Sequence, residues 1–167
     1  SGAVAATLLG TVIYGSGGWP AAVNAITFFI GSSLIGRIVN PVRGQTEIRY
    51  AKGTERDAGQ VLGNGLVPGV LAIAISSSPA AIWPWLGYAG AVAAVTADTW
   101  ATEIGALSQY PPRLITNLGV RVPPGTSGGV SFIGSLGGGA GALLIAALAF
   151  LVTPSAEVSL IAPIAVA

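Results

Sequence analysis

Two carboxylates at the end of an apolar run are the residues most able to do chemistry in this chain. Asp98 and Glu103 lie in Thr96-Ala-Asp-Thr-Trp-Ala-Thr-Glu103, with three threonine hydroxyls around them. Acids within or bordering a membrane span are costly and are functional candidates by default. The chain has no cysteine and no histidine. Disulfides, thiolate or imidazole metal sites, and cysteine or serine–histidine catalysis are therefore excluded. Any metal must take oxygen ligands, which selects a hard cation such as Mg²⁺, with Asp98 and Glu103 as its candidate ligands. The two positions are about 140° apart around an ideal helix, so they share one ion only if the helix unwinds or a phosphate bridges them. The plainer reading is that both acids end the helix in water or pair with Arg113.

Two other segments carry polar groups suited to the same chemistry. In Arg56-Asp-Ala-Gly-Gln-Val-Leu-Gly-Asn64 the side chains of Asp57, Gln60 and Asn64 fall at i, i+3 and i+7, one helical face. A polar stripe on an apolar helix needs partners inside the protein, either other helices or a site shared with Asp98. Further on, Gly125, Thr126, Ser127, Gly128 and Gly129 form a short loop of flexible backbone N–H groups and hydroxyls just before an apolar run. Nests of this kind and helix N-termini bind phosphate. Arg113 and Arg121 flank the loop, and guanidinium forks suit phosphate. The loop lacks the lysine of a Walker A sequence, and glycine packing is its ordinary alternative use.

The elements that hold these residues follow from composition. Of 167 residues, 52% are apolar and 8% charged, and the mean hydropathy is +0.76. An average soluble domain is about a quarter charged, so this chain cannot clothe a water-facing surface of normal polarity. That excludes an ordinary soluble enzyme and a disordered tail. A net charge of +1 excludes a bulk nucleic-acid role. The chain reads as one domain over 1–167, an all-α, polytopic transmembrane helix bundle of about five to six spans. They are expected at about 3–16, 20–39, 61–76, 80–107 and 132–152, with a short sixth run at 158–167. The fourth is too long for the bilayer: as a helix it would measure about 42 Å against about 30 Å of hydrocarbon. Trp83, Trp85 and Tyr88 form an aromatic belt at its outer end. Asp98 then lies about 27 Å deeper than Ala80, near the opposite headgroups. Neither end closes on a plausible boundary, so the chain is expected to be a segment of a longer protein.

All seven basic residues, Arg37, Arg43, Arg49, Lys52, Arg56, Arg113 and Arg121, lie in or beside two polar loops at about 40–60 and 108–131. Two expected spans separate the loops, which puts both on one face, cytoplasmic by the positive-inside rule. Gly134, Gly138 and Gly141 are spaced to let helix backbones approach closely.

Four ordered motifs carry a resemblance: Arg56-Asp-Ala-Gly-Gln-Val-x-x-Asn-Gly65, Ala97-Asp-Thr-Trp-Ala-Thr-Glu-Ile-Gly105, Pro112-Arg-Leu-Ile-Thr116 and Pro124-Gly-Thr-Ser-Gly-Gly-Val-Ser131. With Gly31-Ser-Ser-Leu34, the chain resembles the integral-membrane family of plant and cyanobacterial phytyl-phosphate kinase and animal transmembrane protein 19. It departs from that pattern where a lysine is expected between the third and fourth motifs. The chain has Asn117-Leu-Gly-Val-Arg121 there, with Arg121 as the available substitute. The resemblance implies a membrane kinase, in the setting of phytol salvage and tocopherol supply, in a prokaryotic inner membrane or a plastid membrane. Its reaction would pass a phosphoryl group from a nucleoside triphosphate, CTP in the phytol relatives, to an isoprenoid monophosphate. Asp98, Glu103 and Arg113 would serve catalysis, with Mg²⁺ on the two acids. Arg56, Asp57, Asn64, Arg121 and the 125–129 loop would hold the nucleotide and the isoprenoid phosphate. Phosphoryl transfer needs charge neutralisation and positioning more than covalent catalysis, so the absence of histidine is no obstacle. A lipid-phosphate nucleotidyltransferase would use the same groups, and a transporter or channel could use Asp98, Asn64 and Glu103 as an ion path.

Overall fold

The computed structural model describes residues 1–43 and 57–153, the side chains of 40–43 aside. Four helices carry the fold: α1 (Gly2–Arg43), α2 (Ala58–Ser77), α3 (Trp83–Gly105) and α4 (Phe132–Leu151). Between α3 and α4 lie three short strands, β1 (Arg113–Leu114), β2 (Asn117–Arg121) and β3 (Gly129–Val130). They form an antiparallel sheet in the order β2-β1-β3. The polar stretch at 108–131 is thus structured, although the helices make up the bundle as expected.

The number of spans is lower than the expected five to six. Among the described residues three helices are long and apolar enough to cross a membrane: Gly2–Val39, Ala58–Ser77 and Phe132–Leu151. The first two expected spans fall within α1, where Gly18 alone leaves helical geometry, at φ 67° and ψ −168°. Only a residue without a Cβ takes that φ cheaply, and Pro20 restarts the helix with its φ already fixed. The expected fourth span corresponds to α3, which has the length, 23 residues, but not the apolarity. Tryptophans and Tyr88 occupy one end and the Thr96–Glu103 run the other, so no long apolar window remains. The proposed sixth run, 158–167, lies outside the described residues. Asn40-Pro41, expected to stop the second span, falls inside the helical backbone of α1, although the apolar part ends at Val39.

Two compact units divide the chain. One contains α1 up to Thr27, α2, α3 up to Val92, and α4 from Ile145. Its centre is aromatic and hydrogen-bonded. The Tyr88 hydroxyl, fully buried, donates to the Ala21 carbonyl at 2.6 Å. Trp85 stacks on Tyr88 with centroids 5.8 Å apart, and its indole N–H donates to the Thr153 hydroxyl at 3.2 Å. Such bonds satisfy the polar end of an aromatic side chain that burial would otherwise penalise. Leu9 of α1 fills the space over Gly65 and Gly69 of α2, where a Cβ on either glycine would collide with it.

The second unit contains α1 from Phe28, α3 from Ala93, the sheet, and α4 up to Leu144. Here the glycines of α4 face α3, as their spacing predicts. A Cβ at Gly134 would lie 2.7 Å from the Ala101 carbonyl oxygen, and one at Gly138 would lie 3.0 Å from that of Ala97. Backbone-to-backbone approach of this kind gives membrane helices their van der Waals cohesion, since apolar burial is no advantage in lipid. The Trp100 indole fills the space between Gly31 of α1 and Gly141 of α4, with ring atoms 3.0 Å from where either Cβ would be.

Candidate functional site

The acidic end of α3 sits in the second unit. α3 stays helical through both Asp98 and Glu103. Asp98 is exposed, in line with exposed Ala94 and Thr102 at i±4. Glu103 is half-buried, and a Cβ on Gly36 of α1 would come within 4.0 Å of its Oε2. The two carboxylates therefore face different sides of an intact helix and do not chelate one ion between themselves. Among the described residues no group of three or more carboxylates is placed to hold a metal. Asp98 can offer one hard oxygen ligand, which suits Mg²⁺ when nucleotide phosphates supply others.

Beyond α3 the chain turns through Ser108 and Tyr110 into the sheet. β1 and β2 form a hairpin whose loop is Ile115-Thr116, with Leu114 paired to Asn117. The register then places Arg113 opposite Arg121. Residues directly opposite in an antiparallel pair share a face, and like charges so placed are destabilising. Both arginines are exposed, and the Arg113 guanidinium also donates to the Leu118 carbonyl across the hairpin. On its other side Arg113 pairs with Val130 of β3, two residues before α4 begins.

The glycine-rich loop is built as consecutive tight turns. Gly125 and Gly128 take positive φ, 83° and 74°. The Thr126 N–H and hydroxyl both donate to the Pro123 carbonyl, and the Gly129 N–H donates to the Thr126 carbonyl at 3.0 Å. The Gly128 carbonyl accepts from Ile115 N–H at 2.9 Å, tying the loop to the hairpin. Part of the expected donor set is therefore spent internally, whereas the Ser127 side chain is exposed. The start of α4 is capped by its own chain: the Ser131 hydroxyl accepts from Gly134 N–H at 3.1 Å. A Cβ on Gly105, where α3 ends, would lie 3.2 Å from that hydroxyl. The sheet is thus pinned at its base to both helices.

Of the residues expected to act together, Asp98, Glu103, Arg113, Arg121 and the 125–129 loop fall in this one unit. Asp57 and Asn64 belong to the other. Asp57 is the N-cap of α2, its carboxylate accepting from Gln60 N–H at 2.8 Å, and Asn64 is half-buried on the same helix. Arg56 lies outside the described residues. Two buried polar residues, Asn24 and Ser32, and the buried indole N–H of half-buried Trp100 carried no functional reading in the sequence. Ser32 is 3% exposed and its hydroxyl has no hydrogen-bond partner among the described residues, as is also true of the Trp100 indole N–H. A serine and a tryptophan next to small residues at helix-packing positions were the available signal.

Comparison with known proteins places the chain in a membrane context. The family model described as Integral membrane protein DUF92 matches residues 1–167. An uncharacterized membrane protein of Methanocaldococcus jannaschii, MJ0933, is 33% identical over 90% of this chain and 60% of its own length. The uncharacterized membrane protein sll0875 of Synechocystis is 32% identical, covering 87% of this chain and 57% of its own. Protein PGR of Arabidopsis thaliana is 30% identical, covering 81% and 51%. The chain thus spans little more than half the length of these relatives. No solved structure matches it significantly.

Proposed function

The chain belongs to the integral membrane protein family DUF92, and from that premise we propose that it is a membrane phosphotransferase acting on an isoprenoid monophosphate. The protein is integral and multi-pass, as its relatives and its three long apolar helices indicate. The observation that carries the reading is the Arg113–Arg121 pair. Two exposed guanidiniums held opposite each other, against their own repulsion, make a site for a multiply charged anion such as a phosphate chain. The acidic end of α3 lies in the same compact unit.

The chemistry follows from those parts. A phosphate oxygen of the isoprenoid monophosphate attacks the γ-phosphorus of a nucleoside triphosphate. The new O–P bond forms as the bond to the β,γ-bridging oxygen breaks, and the nucleoside diphosphate leaves. Arg113 and Arg121 bind and neutralise the phosphate oxygens, which is most of what such a transition state asks of a protein. Asp98 would hold Mg²⁺ delivered with the nucleotide, an ion that supplies further charge neutralisation when bound. Glu103, half-buried beside α1, contributes negative potential that favours the cationic side of the site. The Ser127 hydroxyl, at the tip of the glycine turns, is a neutral donor for phosphate.

Incubation of the full-length protein in lipid with Mg²⁺, CTP and phytyl monophosphate tests the proposal. Equimolar CDP and phytyl diphosphate are expected. Pyrophosphate with a CDP-linked lipid would replace the kinase with a nucleotidyltransferase. No turnover of CTP, ATP or GTP with phytyl or shorter prenyl monophosphates would overturn the phosphotransferase reading.

A further inference from the structure

We infer that Ser32 of α1 and Trp100 of α3 bind a hydroxyl oxygen, of a water or of a long-chain lipid alcohol, between the two helices, with the Glu103 carboxylate as acceptor for its O–H. The inference is independent of which reaction, if any, the arginines serve.

It begins with two donors left over inside the second compact unit. Ser32 is buried, and its hydroxyl has no partner among the described residues. Neighbouring Ser33 shows the usual alternative, its hydroxyl donating to the Phe29 carbonyl one turn back at 2.7 Å. The Trp100 indole N–H is buried and equally without a partner among the described residues, although the ring as a whole is half-buried. An indole N–H only donates, so nothing but an acceptor satisfies it. The apolar part of α1 ends at Val39, which leaves Ser32 about 10 Å inside it. Unpaired donors at that depth have no bulk water to turn to and are costly.

The contacts of α1 with α3 bracket Ser32. On one side of it, Trp100 Nε1 lies 3.9 Å from where a Cβ on Gly31 would be. On the other, a Cβ on Gly36 would meet only the Glu103 Oε2, at 4.0 Å, among the described residues. Around an ideal helix Ser32 falls between these two glycines, about 100° from Gly31 and about 40° from Gly36. Helical Cβ bonds tilt toward the N-terminus, so the open space at Gly36 lies over Ser32, one turn before it. Trp100 and Glu103, at i and i+3, share a face of α3. All five residues belong to one compact unit. Two buried donors and a buried carboxylate oxygen thus collect around a single turn of α1.

The donor set selects the ligand. Ser32 and Trp100 call for lone pairs, which a cation does not bring. A phosphate or another anion would be repelled by Glu103 at such short range. An ester carbonyl accepts but has nothing to give the carboxylate. A hydroxyl does both, its oxygen accepting from Ser32 and Trp100 and its hydrogen going to Glu103. A carboxylate oxygen accepts more than one hydrogen bond, so this holds whatever else Glu103 bonds. Two sources of a hydroxyl reach this level of a membrane. One is a single water, the ordinary occupant of small polar spaces inside proteins. The other is a lipid alcohol, whose chain has the exposed Phe29 and Ile30 of the same helix to lie along.

The indole N–H reports its own partner. The full-length protein is labelled with ¹⁵N-tryptophan and reconstituted in phosphatidylcholine nanodiscs. Trp100→Phe identifies the Trp100 resonance by its loss, and joint replacement of Trp19, Trp83 and Trp85 by Phe identifies it by its persistence. In the parent protein that proton is expected at a hydrogen-bonded shift. Magnetisation exchange with water, unaffected by hexadecanol, makes water the occupant. A saturable shift with hexadecanol, absent with hexadecane, makes it a lipid alcohol. Ser32→Ala should move the Trp100 resonance, or weaken the hexadecanol effect about five-fold, the worth of one neutral hydrogen bond. Ser33→Ala, whose hydroxyl is already bonded within α1, should do neither. An unbonded indole shift in the parent protein, with and without hexadecanol, overturns the proposal even if no variant folds. So do cross-peaks that place a phospholipid headgroup or acyl ester at the indole, and a Trp100 resonance that a folded Ser32→Ala leaves unmoved.

Discussion

Arg113 and Arg121 are cross-strand partners, the two strongest cations of the described loop placed side by side on one face of a hairpin. Their separation in sequence hides this, because the Ile115-Thr116 turn and an irregularity in register after Arg113 bring them together. A sheet selected for stability alone would gain by replacing Arg121, since like charges directly opposite are unfavourable by a few tenths of a kcal/mol, roughly. The pairing thus separates stability from binding in a measurable way.

Arg121→Gln should leave the melting temperature unchanged or slightly raised while reducing turnover of nucleotide and isoprenoid phosphate. Loss of a hydrogen bond to a charged phosphate costs about 1.5–3 kcal/mol, an expected drop of about 10- to 150-fold in kcat/KM. Arg113→Gln should show the same loss of turnover with a small loss of stability, because Arg113 also bonds the Leu118 carbonyl. Thermal melting and product assays on the two variants check both parts.

Asp98 is exposed, so its replacement removes no packing. Asp98→Asn should therefore keep the protein folded and inserted while abolishing Mg²⁺-dependent turnover. Glu103→Gln is expected to lower turnover less, because Glu103 does not share an ion with Asp98 across an intact α3. Normal activity of Asp98→Asn at ordinary Mg²⁺ would take that residue out of the mechanism.

The helices and their close contacts were legible from apolar runs and glycine spacing. Bounds near 58–77 and 132–151 differ by a few residues at most from those expected, because end signals such as the Asp57 cap act locally. The span count was not legible. Gly18 kinks α1 between its two apolar helical runs, which follow one another with no intervening loop, and α3 mixes aromatic and polar residues at its two ends. The sheet escaped because its strands are two to five residues long and set among prolines and glycines. The alternation of Asn117, Leu118, Gly119, Val120 and Arg121 was its one visible trace. The candidate residues themselves were readable as chemical types. What sequence alone did not give was their division between two compact units, since that depends on which helices pack together.

The glycine-rich loop can be separated into scaffold and binding groups. Gly128 holds a left-handed φ of 74°, so Gly128→Ala should cost about 1–2 kcal/mol of stability whatever the loop binds. Ser127→Ala touches an exposed hydroxyl outside the turn bonds, so it should lower phosphate affinity and leave melting unchanged. Nucleotide binding by the folded variants distinguishes the two: equal affinity for Ser127→Ala and the parent would assign the loop to structure alone.

Close packing of α4 on α3 predicts a sharp contrast between two glycines of the same helix. Gly134→Ala forces a Cβ to within 2.7 Å of the Ala101 carbonyl oxygen, a backbone atom that cannot rotate away. Gly139→Ala meets nothing within 4 Å. The first should destabilise by about 1–3 kcal/mol through overpacking. The second should be neutral or stabilising by about 0.5–1 kcal/mol, since alanine is the better helix former. Melting of the two variants in the same lipid gives the comparison.

The end of α1 near Arg37 and the Arg121 end of the sheet should face the same side of the membrane. Gly36 lies beside Glu103, and α3 ends at Gly105 against Ser131, immediately before α4. All these contacts belong to one compact unit, so the basic residues Arg37, Arg113 and Arg121 should collect at one membrane face whatever the count of spans. The positive-inside rule makes that face cytoplasmic. Arg37→Cys and Arg121→Cys, in a background without other cysteines, should react with an impermeant maleimide from the same side in oriented vesicles, and from the cytoplasmic side in cells. Both positions are exposed, so labelling reads topology rather than burial. Labelling from opposite sides would break the link between the acidic end of α3 and the arginine pair, and the proposed phosphate site would fall with it.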